Sequence, residues 1–96
     1  MDADGVIVHG GVVAQFEQAL TNLLTALAAA GGVPDQLVRA TIYIVDVAAY
    51  RAAAAEIGVV WRRLAGRDYP AMAGIGVTRL WDDDALVEIE GIAVLP

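Results

Sequence analysis

The segment from Tyr69 to the C-terminus constrains the fold more than any other part of the chain. Two runs of strand-forming residues, Ala71 to Leu80 and Ala85 to Leu95, are separated by the acidic sequence Trp81-Asp82-Asp83-Asp84. Short polar residues of this kind favour a turn over a strand. The segment therefore predicts a β-hairpin that closes a mixed sheet, and we expect any functional site to lie on it.

Alternation along these two strands assigns their side chains to two faces. In the first strand, the pattern predicts a buried face formed by Ala73, Ile75 and Val77. The opposite, nearly bare face consists of Met72, Gly74, Gly76 and Thr78. In the second strand, an apolar face is predicted for Val87, Ile89, Gly91 and Ala93. Glu88 and Glu90 then point to the other side. Carboxylates are seldom buried without a partner, so the simplest interpretation is a solvent-exposed face, and a functional role requires a second surface that covers the pair.

Two amphipathic helices are predicted before this segment. Val12 to Ala30 carries apolar residues at spacings of three and four, and Gly31 follows where a C-terminal cap belongs. A second helix is predicted from Val47 to Leu64, with Asp46 as its N-terminal cap. Both helices have one apolar stripe, so each is expected to pack against the sheet.

A further strand is predicted from Leu37 to Val45, between the two helices. Its apolar face is expected to consist of Val38, Ala40, Ile42 and Ile44. Its partly polar face consists of Arg39, Thr41, Tyr43 and Val45. A short strand is also predicted at Val6 to Val8. Two helices can cover only one face of the sheet, so the face with Thr41, Tyr43, Met72, Glu88 and Glu90 is expected to meet solvent or another subunit.

The composition restricts the class of protein. With 96 residues the chain is expected to form one domain, 1–96, near the size at which a monomer has difficulty burying enough surface. Hydrophobic residues make up 58% of the sequence, yet no apolar run is long enough to span a membrane. A subunit interface explains this apolar excess better than a membrane does.

Charge and cysteine content exclude several functions. The net charge of −6 argues against a nucleic-acid partner, because binding phosphates requires clustered basic residues. Without cysteine there are no disulfides, no thiolate catalysis and no cysteine-based metal site, and without a signal peptide we expect a cytoplasmic protein. The single histidine, His9, is more often incidental than a metal ligand, and no common catalytic or cofactor motif occurs. Neither metal nor cofactor is expected.

The C-terminal sequence PAMAGIGVTRLWDDDALVEIEGIA resembles the signature of the RidA family, also called YjgF or L-PSP endoribonuclease-like. The residues that match the signature are Pro70, Ala71, Val77, Leu80 and Ala85 to Ile92. The first helix and the strand after it fit the family as well. Met72 stands where deaminating members have an arginine, and family members usually carry further strands before the first helix. A truncated chain, a misassigned start and a naturally short form all remain open.

The resemblance implies an α+β, chorismate-mutase-like fold, with a mixed sheet and two helices on one face. It also implies a homotrimer with ligand clefts between subunits and hydrolysis of reactive enamines or imines. Glu90 corresponds to the catalytic glutamate that positions water, and Met72, Thr41 and Tyr43 are expected to contact the substrate. Without the arginine, we expect a RidA-like protein whose deaminase activity is altered or lost, with Arg39 as an alternative carboxylate ligand. A non-catalytic trimeric ligand-binding or scaffold protein is the second hypothesis.

Overall fold

A computed structural model describes residues 10–96 of the chain. Its elements, in chain order, are α1 (Gly11–Ala29), a 3-10 turn (Pro34–Gln36), β1 (Leu37–Ile44), α2 (Val47–Ala52), α3 (Ala54–Ala65), β2 (Ala71–Gly76) and β3 (Val87–Ala93). The strand predicted at Val6 to Val8 and the side chain of His9 lie outside the described residues.

The three described strands form one mixed sheet with the order β2-β1-β3. β1 is central: it pairs in parallel with β2 and antiparallel with β3. The predicted hairpin is therefore wrong, because β2 and β3 do not pair with each other. The helical crossover of α2 and α3 returns the chain so that β2 runs parallel to β1, and residues 77–86 then carry it to the opposite edge. Local alternation in the sequence does not specify which strands are neighbours.

The helices cover one face of this sheet, which we call the helix face. α1 packs against β3 and α3, and the buried core lies between these helices and the sheet. The residues of this core are Phe16, Leu20, Ile42, Ile44, Ile57, Val60, Trp61, Ala65 and Val87. Burying an aromatic or branched aliphatic side chain contributes about 1.5–3 kcal/mol, so this layer supplies most of the stabilisation. The predicted α+β class, with helices on one face of a mixed sheet, is confirmed.

The helix ends follow the predicted chemistry. Gly31 has φ of 90°, a left-handed conformation that suits glycine after a helix. At the next helix, the Asp46 carboxylate accepts a hydrogen bond from the backbone N–H of Ala49, at 3.0 Å. The predicted single helix after Asp46 is instead two segments, since the backbone at Ala53, with φ −96° and ψ 9°, departs from helical geometry.

A β-bulge near the start of β1 changes one predicted orientation. Leu37 pairs with Ala93 and Arg39 pairs with Ile92, so β1 has an extra residue between these pairs. As a result, Leu37 is buried and Val38 is 48% exposed, contrary to the expectation that Val38 belongs to the apolar face. The other three residues predicted on this face, Ala40, Ile42 and Ile44, are buried.

Candidate functional site

Three of the four predicted site residues meet on the sheet face opposite the helices, which we call the open face. Thr41 lies on β1, directly between Ala73 of β2 and Glu90 of β3. Two residues further along β1, the Tyr43 hydroxyl donates a hydrogen bond to Oε1 of Glu90 at 2.8 Å. This bond holds the Glu90 carboxylate toward Tyr43 and fixes its position above the sheet.

Electrostatics at this pair favour a protonated tyrosine. The hydrogen bond to Glu90 raises the pKa of Tyr43 above its ordinary value of 10.0, and the negative charges of Glu90 and Glu88 act in the same direction. Arg39 opposes this increase through its positive charge. Tyr43 is therefore a hydrogen-bond donor throughout the physiological pH range.

Arg39 and Glu90 border a cavity of about 300 Å³ on the open face, which we call the polar hollow. Its remaining lining residues are Ala40, Thr41, Gly91 and Ile92. Thr41 is a polar residue, yet it is only 7% exposed and counts as buried. Sequence reasoning placed Arg39 on this face, but a cavity beside it could not be deduced from alternation alone.

Met72 does not share this face. The parallel register pairs Met72 with Ala40 and Gly74 with Ile42, which places Met72, Gly74 and Gly76 on the helix face. The glycines allow close packing there, since a Cβ at Gly76 would lie 3.0 Å from Cγ2 of Val47. The predicted faces of β2 are thus reversed: Ala73 and Ile75 belong to the open face and are exposed. Because glycine has no side chain, a hydropathy pattern does not show that these positions of β2 belong to the helix face.

Met72 instead lines a second cavity of about 220 Å³, which we call the aromatic groove. The other residues around it are Phe16, Tyr50, Ala54, Ile57, Gly58, Trp61 and Tyr69. Tyr69 stacks on Trp61 with ring centroids 5.2 Å apart, and Phe16 meets Tyr50 edge to face at 6.2 Å. All of these side chains are uncharged, and burial raises the pKa of Tyr50. The groove was not foreseen from the sequence, where its aromatic residues are far apart.

The guanidinium of Arg62 lies near the aromatic groove. Nη1 of Arg62 is 3.4 Å from the position that a Cβ at Gly58 would occupy, so the guanidinium extends back over this glycine. Arg62 is exposed on α3.

A third cavity, about 420 Å³, is lined by residues of α1, of the loop before β3 and of the start of β3, among them Trp81 and Glu88. Trp81 is 93% exposed on the loop between β2 and β3, where Arg79 and Asp83 form an ion pair. Glu90, Thr41 and Tyr43 do not line this cavity, so its volume alone does not make it the candidate site.

Within residues 10–96, no three His, Asp or Glu side chains are grouped as metal ligands. No helix in the same range is long and apolar enough to cross a membrane.

Comparison with known proteins decides the family. The sequence profile of the family described as Endoribonuclease L-PSP matches residues 1–95. The chain belongs to this L-PSP family. The resemblance to RidA and YjgF proteins drawn from the C-terminal motif is therefore confirmed.

The curated relatives of this L-PSP protein include a deaminase and a RutC family protein. It is 37% identical over 92 residues to a goat (Capra hircus) 2-iminobutanoate/2-iminopropanoate deaminase, covering 96% of this chain and 64% of the relative. It is 35% identical over 88 residues to the RutC family protein UK114 of Drosophila melanogaster, covering 92% of this chain and 60% of the relative. The chain thus spans less than two thirds of the length of these two relatives.

Solved structures of L-PSP relatives share the fold. The Rid-family protein YyfB of Yersinia pestis, described as of unknown function, superposes with a TM-score of 0.81 at 37% identity, over 98% of this chain and 71% of its own. The E. coli protein TdcF with bound serine gives a TM-score of 0.77 at 27% identity, over 93% and 68% of the two chains. The chorismate-mutase-like architecture expected from the resemblance agrees with these superpositions.

Proposed function

We propose that this L-PSP protein is a RidA-like small-molecule protein of the enamine and imine deaminase family, with deaminase activity altered or lost. The observation that carries the proposal is the environment of Met72. It occupies the motif position of the family's arginine, and it lies in a groove lined by uncharged side chains. A thioether cannot replace the charge-assisted, bidentate hydrogen bonds that a guanidinium gives to a carboxylate.

The proposed role of Glu90 is to activate water. In imine hydrolysis, water adds to the C=N carbon, and the resulting carbinolamine expels ammonia to leave a carbonyl. The Glu90 carboxylate accepts a proton from the attacking water and can return it to the leaving nitrogen. Tyr43 supports this role by holding one carboxylate oxygen, which leaves the other oxygen for water or substrate.

The proposed assembly is a homotrimer, and the placement of Met72 supports it. Met72 and Glu90 are on opposite faces of one sheet, so a small imine cannot contact both within a single chain. If both positions contribute to one site, they must come from different subunits. A cytoplasmic, cofactor-free trimer with clefts between subunits satisfies this requirement.

A non-catalytic ligand-binding or scaffold trimer is the second candidate. It is favoured by the exposure of Glu90 in the single chain, because a general base is more effective in a site that excludes water. Turnover distinguishes the two candidates.

The test compares wild type with Met72→Arg on 2-aminoacrylate generated by a serine dehydratase. A hydrogen bond to a charged group contributes about 1.5–3 kcal/mol, so loss of two predicts a rate about 10² to 10⁴ below that of an arginine-bearing relative. Met72→Arg should recover part of this difference. Val59→Arg, at an exposed apolar position of α3, is the matched control and should recover none.

The double variant Met72→Arg/Glu90→Gln tests the catalytic role of Glu90. We expect it to lose the activity that Met72→Arg gains. Wild-type turnover equal to that of the arginine-bearing relative would refute the proposed effect of Met72, and activity in the double variant would refute the role of Glu90.

A further inference from the structure

The aromatic groove combines a buried base with an exposed apolar rim. Phe16 and Trp61 form the base and are 1% and 2% exposed, whereas Tyr69 and Met72 are 52% and 37% exposed. The lining residues come from α1, α2, α3, the loop before β2 and the helix face of β2. None of them belongs to the open face, which the predicted trimer buries. Exposed apolar side chains around a cavity are typical of a site that takes an apolar group.

The size of the aromatic groove suits a single ring. Its volume is about 220 Å³, and an apolar cavity of about 150 Å³ is enough to hold benzene. The remaining space allows a short substituent on the ring. Gly58 keeps one side of the groove open, because a Cβ there would lie 3.4 Å from Nη1 of Arg62. Rings in the wall can meet a bound ring face to face or edge to face.

Charge restricts the occupant further. The side chains that line the aromatic groove are uncharged, so a charged group placed among them would lose its hydration without gaining a partner. At the mouth, the exposed guanidinium of Arg62 extends over the groove. Among residues 10–96 it takes part in neither of the ion pairs, which join Arg63 with Glu17 and Arg79 with Asp83. The complementary molecule is apolar at one end and negative at the other.

We infer that the aromatic groove binds a small carboxylate with one aromatic ring, the ring lying against Tyr69 and Met72 and the carboxylate on Arg62. The chemical class is that of aryl-substituted organic acids, including the imino acids of aromatic amino acids. The inference rests on the proposed function and names the substrate class that Met72 admits. The thioether makes favourable contacts with a ring, and burial of the ring supplies binding energy that a small imine lacks.

The test is a binding titration followed by NMR on the full-length ¹⁵N-labelled protein. Phenylacetate carries the ring and the carboxylate, benzyl alcohol only the ring, and acetate only the carboxylate. Phenylacetate should shift the indole N–H signal of Trp61 in a saturable manner and bind at least about tenfold more tightly than either other probe. Trp81, 93% exposed on a different loop, is the internal control. Equal affinity for acetate would overturn the role of the ring, and equal affinity for benzyl alcohol would overturn that of Arg62.

Two variants that fill the aromatic groove test the location of the ring. Ala54→Leu adds apolar volume to the lining and should weaken phenylacetate binding about tenfold or more, whereas Ala55→Leu, at the next and exposed position, should not. Gly58→Ala should also weaken binding, yet raise the unfolding temperature, because alanine is preferred over glycine inside a helix. Weaker binding in a more stable protein excludes unfolding as its cause. Wild-type affinity in Ala54→Leu would place the ligand elsewhere.

Charge variants test the carboxylate anchor. Arg62→Gln should weaken phenylacetate binding about 10- to 100-fold and leave benzyl alcohol binding unchanged, and Arg51→Gln on α2 is the control that should alter neither. If Arg39→Gln abolishes phenylacetate binding and Arg62→Gln does not, the ligand is on the open face and the inference is wrong. The same conclusion follows if wild type does not bind phenylacetate. None of these measurements requires imine turnover, so binding in the groove can be confirmed even if the protein is not a deaminase.

Discussion

The pKa of Tyr43 reports on its hydrogen bond to Glu90 on the open face. Its hydroxyl donates to Glu90, and this bond raises its pKa above 10.0. We predict that Glu90→Gln lowers the pKa of Tyr43 toward its ordinary value, because the variant removes both the charged acceptor and its negative field. A pH titration monitored by ¹³C NMR of the tyrosine rings gives the pKa of each tyrosine separately.

Tyr50 is the internal control for this titration. Its pKa is also raised, but the cause is burial, so Glu90→Gln should leave it unchanged. Because folding raises the pKa of Tyr43, its contribution to stability is complete below pH 10.0 and is lost as the pH rises through the higher pKa of the folded state. A Tyr43 pKa that is unaffected by Glu90→Gln would contradict the hydrogen bond described above.

For single residues, the sequence predicted the face of a side chain only in strands where apolar and polar residues alternate regularly. The alternation of Val87 to Ala93 correctly placed Glu88 and Glu90 together, and Thr41 and Tyr43 joined them. Met72 was misplaced because its strand has glycine at two positions of the helix face, where hydropathy gives no signal. The role of Met72 as a substrate contact stays a prediction, on the helix face of the sheet.

At the scale of the elements, the side chain of Gln15 joins α1 to the residues just before β3 by two hydrogen bonds. Nε2 of Gln15 donates to the carbonyl of Asp84 at 3.0 Å, and the backbone N–H of Leu86 donates to Oε1 of Gln15 at 2.7 Å. This side chain therefore adds to the backbone hydrogen bonds of the loop, such as the one from the N–H of Val45 to the carbonyl of Leu86. It also keeps residues 77–86 in place as they cross from β2 to the other edge of the sheet.

We predict that Gln15→Ala destabilises the fold by about 1–3 kcal/mol, because it leaves a partly buried N–H and a carbonyl without their partner. Urea denaturation measures the loss. Gln18→Ala on the same helix is the control, since Gln18 bonds only the exposed side chain of Asn22 and a change within about 0.5 kcal/mol is expected. Equal destabilisation by the two variants would mean that helix propensity, and not the contact with the loop, determines the effect.

Helices and strands were largely predictable as elements, but their pairing was not. The apolar stripe of α1 and the cap at Asp46 are local signals, and both appear where the sequence placed them. The choice of β1 as the central strand depends on the crossover through α2 and α3, which brings β2 back in parallel. A pattern read along one strand carries no information about that crossover.

For the whole molecule, the open face remains without a covering layer among residues 10–96. Ile75 and Ile92 are exposed on this face. The mean hydropathy of the protein is +0.60, so the chain as a whole is also rich in apolar residues. Exposed apolar groups on a sheet face are typical of an interface between subunits. The helices α1 and α3 cannot cover this face, because they are already packed on the other side.

We therefore predict that the protein is a trimer and that Ile75→Glu dissociates it. The new carboxylate would lie opposite Tyr43, in the same row as Glu88, so burial in an interface would cost several kcal/mol through desolvation and like-charge repulsion. Val59→Glu makes the same substitution at an exposed position of α3 on the outer surface and should leave the assembly intact. Light scattering coupled to size-exclusion chromatography gives the mass of each variant. A wild-type protein that is monomeric at micromolar concentration would refute both the interface and a site shared between Met72 and Glu90, whereas dissociation by both variants would place the interface beyond the open face.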